Sequence, residues 1–108
     1  MSRGFAELVA WANTSGVGAA VVRAARNLTL TDSGVGLYDY TLGEALNANE
    51  MLPQVSILTT QDVSCFLTNT SDTVKRLSTR DSTPTTVAAA AKDADHYIAF
   101  WHVAFGNF

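Results

Sequence analysis

Asp95-His96-Tyr97-Ile98-Ala99-Phe100-Trp101-His102-Val103-Ala104-Phe105-Gly106 is the stretch on which the fold reading turns. Alternate residues of an extended chain point to opposite sides. His96, Ile98, Phe100, His102 and Ala104 therefore share one face, and Tyr97, Ala99, Trp101, Val103 and Phe105 share the other, which is almost entirely apolar. Large aromatics on both faces predict a central strand, buried on one side and partly covered on the other. Working outward, Leu37-Tyr38-Asp39-Tyr40-Thr41-Leu42 alternates with both tyrosines on one side. Val55–Leu58 and Val63–Leu67 continue the same vocabulary, and Thr73–Leu77 and Thr85–Val87 are weaker strand candidates.

Clusters of Asn, Asp, Ser, Thr and Gly punctuate the chain at 13–16, 31–34, 47–50, 69–72, 80–84 and 92–95. Such residues favour turns because Gly tolerates positive φ and short polar side chains bond nearby backbone. Short strands at regular spacing between turn signals predict an all-β fold, a single antiparallel β-sandwich of jelly-roll-like form with about seven or eight strands. Ala19–Arg26 reads equally as a helix with Arg23 and Arg26 on one face or as a strand entered through Gly16-Val17-Gly18. Ala88–Ala91 is either a strand end or a loose helical turn.

The 108 residues are 47% hydrophobic and only 16% charged, with no linker or internal repeat, so one domain spanning 1–108 is expected. Sparse charge argues against disorder. Seven Lys+Arg against ten Asp+Glu give a net charge of −3, which disfavours a nucleic-acid partner. A single cysteine, Cys65, excludes an internal disulfide. The opening MSRGFAELVAWA, interrupted by Glu7, does not read as a signal peptide, so synthesis in a cytosol-like compartment is expected. No apolar run approaches the ~18 residues of a membrane helix, and no membrane partner is expected.

Asn27–Leu42, with its Thr31-Asp32-Ser33-Gly34-Val35-Gly36-Leu37-Tyr38 centre, resembles the N-V-S-S-x-T-D-x-G-x-G-x-Y-x-V-x-F pattern of small β-sandwich domains in bacteriophage tail-fibre and virion-surface proteins. Asp95–Gly106 is similar to the strand on which such domains commonly end. The chain departs from the pattern at Gly43–Met51, which lacks the usual aromatic after Asn47. The resemblance covers about half the chain and favours strands in the first quarter. It implies a non-enzymatic virion protein, usually a homotrimer, made in the host cytoplasm and exposed on the particle surface, with capsid or tail proteins of the same virion as partners.

The residues that invite chemistry each have a plainer reading. His96 and His102 share a strand face, but six residues separate them by roughly 20 Å, too far for one metal. What remains is a ring of one histidine per subunit on a three-fold axis, or histidines hydrogen-bonded at the rim. Cys65 lies beside Phe66 without a local base and reads as a small buried hydrophobe. Asp93 and Asp95 lack the ligand series of a calcium loop and read as a solvated turn. Gly16-Val17-Gly18 and Gly34-Val35-Gly36 lack the further signature of a phosphate loop and read as hairpin turns. Lys75, Arg76 and Arg80 read as a solvated strand end, and the N-x-S/T triplets at Asn13, Asn27 and Asn69 as chance. No catalytic, metal or cofactor-binding residue is assigned, and no enzyme is expected.

Tyr97, Phe100, Trp101, Phe105 and Trp11, with Phe5, exceed what one small sandwich must bury. Aromatics are enriched where subunits meet, so the first five are the expected subunit-interface residues of a homotrimer. The expected function is a capsid decoration, or cement, protein on the particle exterior. The alternative is a tail-fibre tip that recognises a host surface glycan or protein through Tyr38, Tyr40 or the 69–72 and 80–84 loops.

Overall fold

The computed structural model describes residues 2–58, 63–81 and 90–107, and the side chains within 5–58, 63–81 and 90–103. Eight strands follow in order: β1 (Ser2–Ser15), β2 (Val21–Arg26), β3 (Leu28–Gly34), β4 (Leu37–Leu42), β5 (Met51–Ile57), β6 (Val63–Asn69), β7 (Val74–Asp81) and β8 (His96–Asn107). A single 3₁₀ turn, Ala48–Glu50, precedes β5, with the Asn47 side chain accepting from Asn49 N. The strands form two four-stranded antiparallel sheets, β2-β1-β8-β5 and β3-β4-β7-β6, whose inner faces pack as the expected β-sandwich. The segment left open between helix and strand, 19–26, contributes β2, which hydrogen-bonds to β1. The Thr85–Val87 candidate and residues 88 and 89 of the Ala88–Ala91 segment lie outside the described residues, while Ala91 bridges Arg80.

The core explains the pairing. On β4 the inward residues are Tyr38, Tyr40 and Leu42, and on β7 they are Lys75, Leu77 and Thr79. Facing them, β1 offers only Ala10, Ala12 and Thr14, and these small side chains leave room for two tyrosine rings. β8 adds His96, Ile98 and Phe100, with the Tyr40 and Phe100 rings edge to face at 6.4 Å. The histidine-bearing face of β8 is thus the core face, and its almost wholly apolar face points outward. Phe100, expected at an interface, is 0% exposed and belongs to this core. Tyr38 and Tyr40, offered as exposed glycan-binding rings, are also 0% exposed, because alternation directs both inward.

The glycine pairs form hairpin turns as expected, and two carboxylates hold them. Asp93 Oδ1 accepts from Gly36 N at 2.8 Å, and Asp95 Oδ1 accepts from Gly16 N at 2.8 Å. Asp95 also lies 3.5 Å from Arg23. The 92–95 segment is therefore a half-buried clasp and not a free solvated turn. At Gly36, φ is +65° and a Cβ would stand 2.4 Å from Thr79 O, so the β3–β4 turn admits no side chain there.

The basic cluster separates on folding. Lys75 is fully buried; its Nζ donates to Leu46 O at 2.6 Å, to Ser71 O at 2.8 Å and to Asn69 Oδ1. Burial lowers its pKa, against the pull of Asp72. Arg76 forks onto Asp39 at 2.8 and 2.9 Å, and this pairing holds the Asp39 carboxyl below its usual value. Only Arg80 stays exposed, stacked 5.2 Å above the Phe66 ring. Cys65 also differs from expectation: it sits on the edge strand β6, where the opposite sheet does not cover it, and is exposed. Partial burial still raises its thiol pKa, which opposes nucleophilic reactivity.

Candidate subunit interface

The outward face of the β2-β1-β8-β5 sheet is assembled row by row by strand register. Leu8, Trp101 and Leu52 stand side by side, then Trp11, Ala99 and Gln54, then Asn13, Tyr97 and Ser56. A bulge between Leu8 and Ala10 sets Val9 aside, so Leu8 joins Trp11 and Asn13 on one face. No charged residue falls in these rows, and Arg26 of β2 stands at the margin opposite Trp11. Leu8, Leu52 and Tyr97 are 41%, 47% and 47% exposed. Exposed apolar surface of this kind makes the face a candidate interaction surface.

Ala99, small between Tyr97 and Trp101 along β8, floors a depression of about 390 Å³ walled by Trp11, Tyr97, Gln54 and Ser56. Trp101 Nε1 donates to Gln54 Oε1 at 2.8 Å, which ties the indole to β5. On the same face, Asn13 Oδ1 is buried and accepts no hydrogen bond from the described residues. An unpaired amide oxygen costs free energy unless a donor arrives from outside. Of the expected interface residues, Tyr97, Trp101 and Trp11 come together here and Phe100 does not; the Phe105 side chain lies outside the described residues. Leu8, Leu52 and Gln54 complete the face and were not anticipated. Period-2 alternation in Met51–Ile57 could have flagged Leu52 and Gln54, whereas the bulge hides Leu8.

The polar groups at the other surface of β8 are internally satisfied. His96 Nδ1–H donates to Ala94 O at 2.8 Å, so its Nε2 accepts from the Tyr40 hydroxyl at 2.5 Å, and that oxygen accepts from Thr14 Oγ1 at 2.7 Å. Burial holds the His96 pKa below its ordinary value, although the Ala94 hydrogen bond and the Asp95 charge oppose it. Burial also raises the Tyr40 pKa. A side chain sealed in this way reaches no three-fold axis, so His96 cannot join a ring of subunit histidines. His102 is the rim histidine, 2.8 Å from Glu50 Oε2. Among the described residues no group of three or more His, Cys, Asp or Glu side chains is placed to hold a metal ion, and no helix is long and apolar enough to cross a membrane. Comparison of the chain with protein-family models, with curated proteins and with solved structures returns no match.

Proposed function

We propose that this chain is a non-enzymatic structural protein of a bacteriophage particle: a homotrimeric module that decorates the capsid exterior, its subunits meeting through the outward face of the β2-β1-β8-β5 sheet. The observation that carries the reading is the uncharged surface of Leu8, Trp11, Tyr97, Ala99, Trp101 and Leu52, which lies on the solvent side of a sheet whose other face already fills the core. A small sandwich gains burial by closing such a face against copies of itself. The phage assignment rests on the resemblance at Asn27–Leu42 and Asp95–Gly106.

The tail-fibre alternative has lost its tyrosines to the core and keeps the exposed 69–72 turn, while residues 82–84 of its 80–84 loop lie outside the described residues. Sedimentation and light scattering of the purified protein test the assembly: a trimer is expected, and Tyr97→Glu should yield smaller species with an unchanged fold. A wild-type protein that stays monomeric over a concentration series sinks the interface. Copy number on purified particles tests the location, with hundreds per particle expected for decoration and a handful for a fibre tip.

A further inference from the structure

The two sheets end on four edge strands, β2, β5, β3 and β6. Three of them carry features that spoil pairing with a further strand. β5 contains Pro53, which offers no N–H. β2 carries Arg23 and Arg26, and its register on β1 shifts at Asn13/Thr14. β3 carries Asp32, and its register on β4 shifts between Asp32 and Gly34. Such bulges turn an edge away from a neighbour. β6 differs from all three. Val63-Ser64-Cys65-Phe66-Leu67-Thr68-Asn69 holds no charge and no proline, and its register on β7 runs unbroken from Val63↔Asp81 to Asn69↔Lys75. Among the described residues no strand pairs with its other edge. Cys65 is exposed, and Phe66 is 49% exposed even with Arg80 stacked on its ring. An unguarded edge of this kind is a template for another strand.

The strand is complementary to itself. Antiparallel pairing of a strand with its own copy keeps backbone donors opposite acceptors only when the two-fold axis passes through a residue position. Phe66 is the midpoint of Val63–Asn69, so an axis there is the one that engages the whole strand. It sets Phe66 against Phe66 and Ser64 against Thr68 on the outer side. On the inner side it sets Cys65 against Leu67, which packs on the core. Aromatic pairs and Ser–Thr pairs are favourable cross-strand neighbours. With the axis at Cys65, Phe66 opposes Ser64, and with the axis at Leu67, Phe66 opposes Thr68 and Cys65 opposes Asn69. Those registers mismatch apolar and polar groups and leave one end of the strand unpaired.

We propose that two copies of this chain associate across a two-fold axis by antiparallel pairing of β6 residues 63–69, with Phe66 opposite Phe66. The contact is isologous and joins two sheets into one, in the order β3-β4-β7-β6-β6-β7-β4-β3. It covers the exposed Cys65 with an apolar neighbour. It uses an edge of the other sheet and leaves the aromatic face free, so it is independent of the trimer and would link one trimer to the next.

Sedimentation equilibrium in a Tyr97→Glu background isolates the edge from the face, and a monomer–dimer equilibrium is expected there. Phe66→Lys removes the ring pair and sets two ammonium groups opposite each other on the axis, which should weaken the dimer roughly tenfold. Phe66 is half-exposed, so circular dichroism should show an unchanged fold. Cysteine cross-linking reads the register. In a Cys65→Ser background, mild oxidation should join Phe66→Cys to its own copy, whereas Ser64→Cys, whose opposite position is 68, should stay reduced. A Tyr97→Glu chain that remains monomeric over a concentration series, a Phe66→Lys variant that associates like its parent, or Ser64→Cys that cross-links as readily as Phe66→Cys would each overturn the proposal. Loss of the trimer in Tyr97→Glu bears on the face alone, so the two readings fail separately.

Discussion

Tyr40→Phe removes one oxygen from the centre of the sandwich and tests whether the buried polar chain holds the two sheets in register. The ring stays, still edge to face with Phe100 at 6.4 Å and with His96 at 6.0 Å, so almost no cavity opens. What goes is the hydroxyl that donates to His96 Nε2 and accepts from Thr14 Oγ1. His96 is fully buried, so water cannot replace the lost donor without opening the core. An imidazole nitrogen left unsatisfied costs about 1–3 kcal/mol, and the Thr14 hydroxyl loses a bond of about 1 kcal/mol net. The expected loss is therefore about 2–4 kcal/mol, a large share of the ~5–15 kcal/mol that stabilises a domain. Urea unfolding at pH 7.5, followed by circular dichroism and tryptophan fluorescence, should show a lower midpoint with an unchanged slope. Thr14→Val should cost about 1 kcal/mol alone and less in the Tyr40→Phe background, because its acceptor is already gone. A Tyr40→Phe loss below about 0.5 kcal/mol, or strict additivity with Thr14→Val, would refute the chain as a linkage between sheets.

The same histidine makes stability depend on pH. Its folded-state pKa lies below the ordinary 6.5, so on acidification the unfolded chain takes up the proton first. Stability from this group is complete above 6.5 and is lost as pH falls toward the folded value, at no more than ~1.4 kcal/mol per pH unit for one proton. Chemical denaturation at a series of pH values should show this slope in the wild type and lose it in His96→Gln. Lys75→Met leaves Leu46 O, Ser71 O and Asn69 Oδ1 without their shared donor and should cost about 1–3 kcal/mol by urea unfolding, despite relieving a buried charge. Gly36→Ala forces a Cβ onto Thr79 O at a positive φ and should lower stability by about 2–4 kcal/mol, with the Thr79 N to Gly36 O hydrogen bond of 2.8 Å the first to open in amide exchange.

Which parts of this architecture can be read from residue order follows from where periodicity survives. Leu37–Leu42 and His96–Val103 alternate cleanly, and both strands sit where alternation places them. The turns at 16–18, 34–36 and 69–72 follow from glycine and short polar side chains, whose backbone chemistry is local. β1 is harder: Leu8-Val9-Ala10-Trp11 reads as a continuous apolar run because the bulge shifts the phase of the strand partway along it. Lys75 and Cys65 are misread for a common reason. Position on a face is a local property, but burial depends on what the other sheet places opposite. The opposite sheet covers Lys75 on β7, whereas on the edge strand β6 Leu67 packs against the core and Cys65 stays exposed. No spacing rule reports that three oxygens from two turns converge on one ammonium group.

The orientation of β8 then becomes the deciding point about function. For a solitary sandwich, the hydrophobic effect favours turning Tyr97, Ala99, Trp101 and Val103 inward and leaving the two histidines in water. The chain turns the aromatic face outward and buries His96, with His102 left at the rim beside Glu50, and it stabilises the choice with groups supplied by other strands. Thr14 on β1 and Tyr40 on β4 satisfy His96, while the small Ala10 and Ala12 make room for the tyrosine ring. Those groups are matched to a polar side chain in the interior and would be wasted on an apolar one. The outward placement of the aromatic face is therefore built into the core and is not a residue of imperfect packing. A face held outward by interior design, uncharged across three strands and carrying an amide oxygen at Asn13 with no partner among the described residues, is what supports the proposed subunit interface.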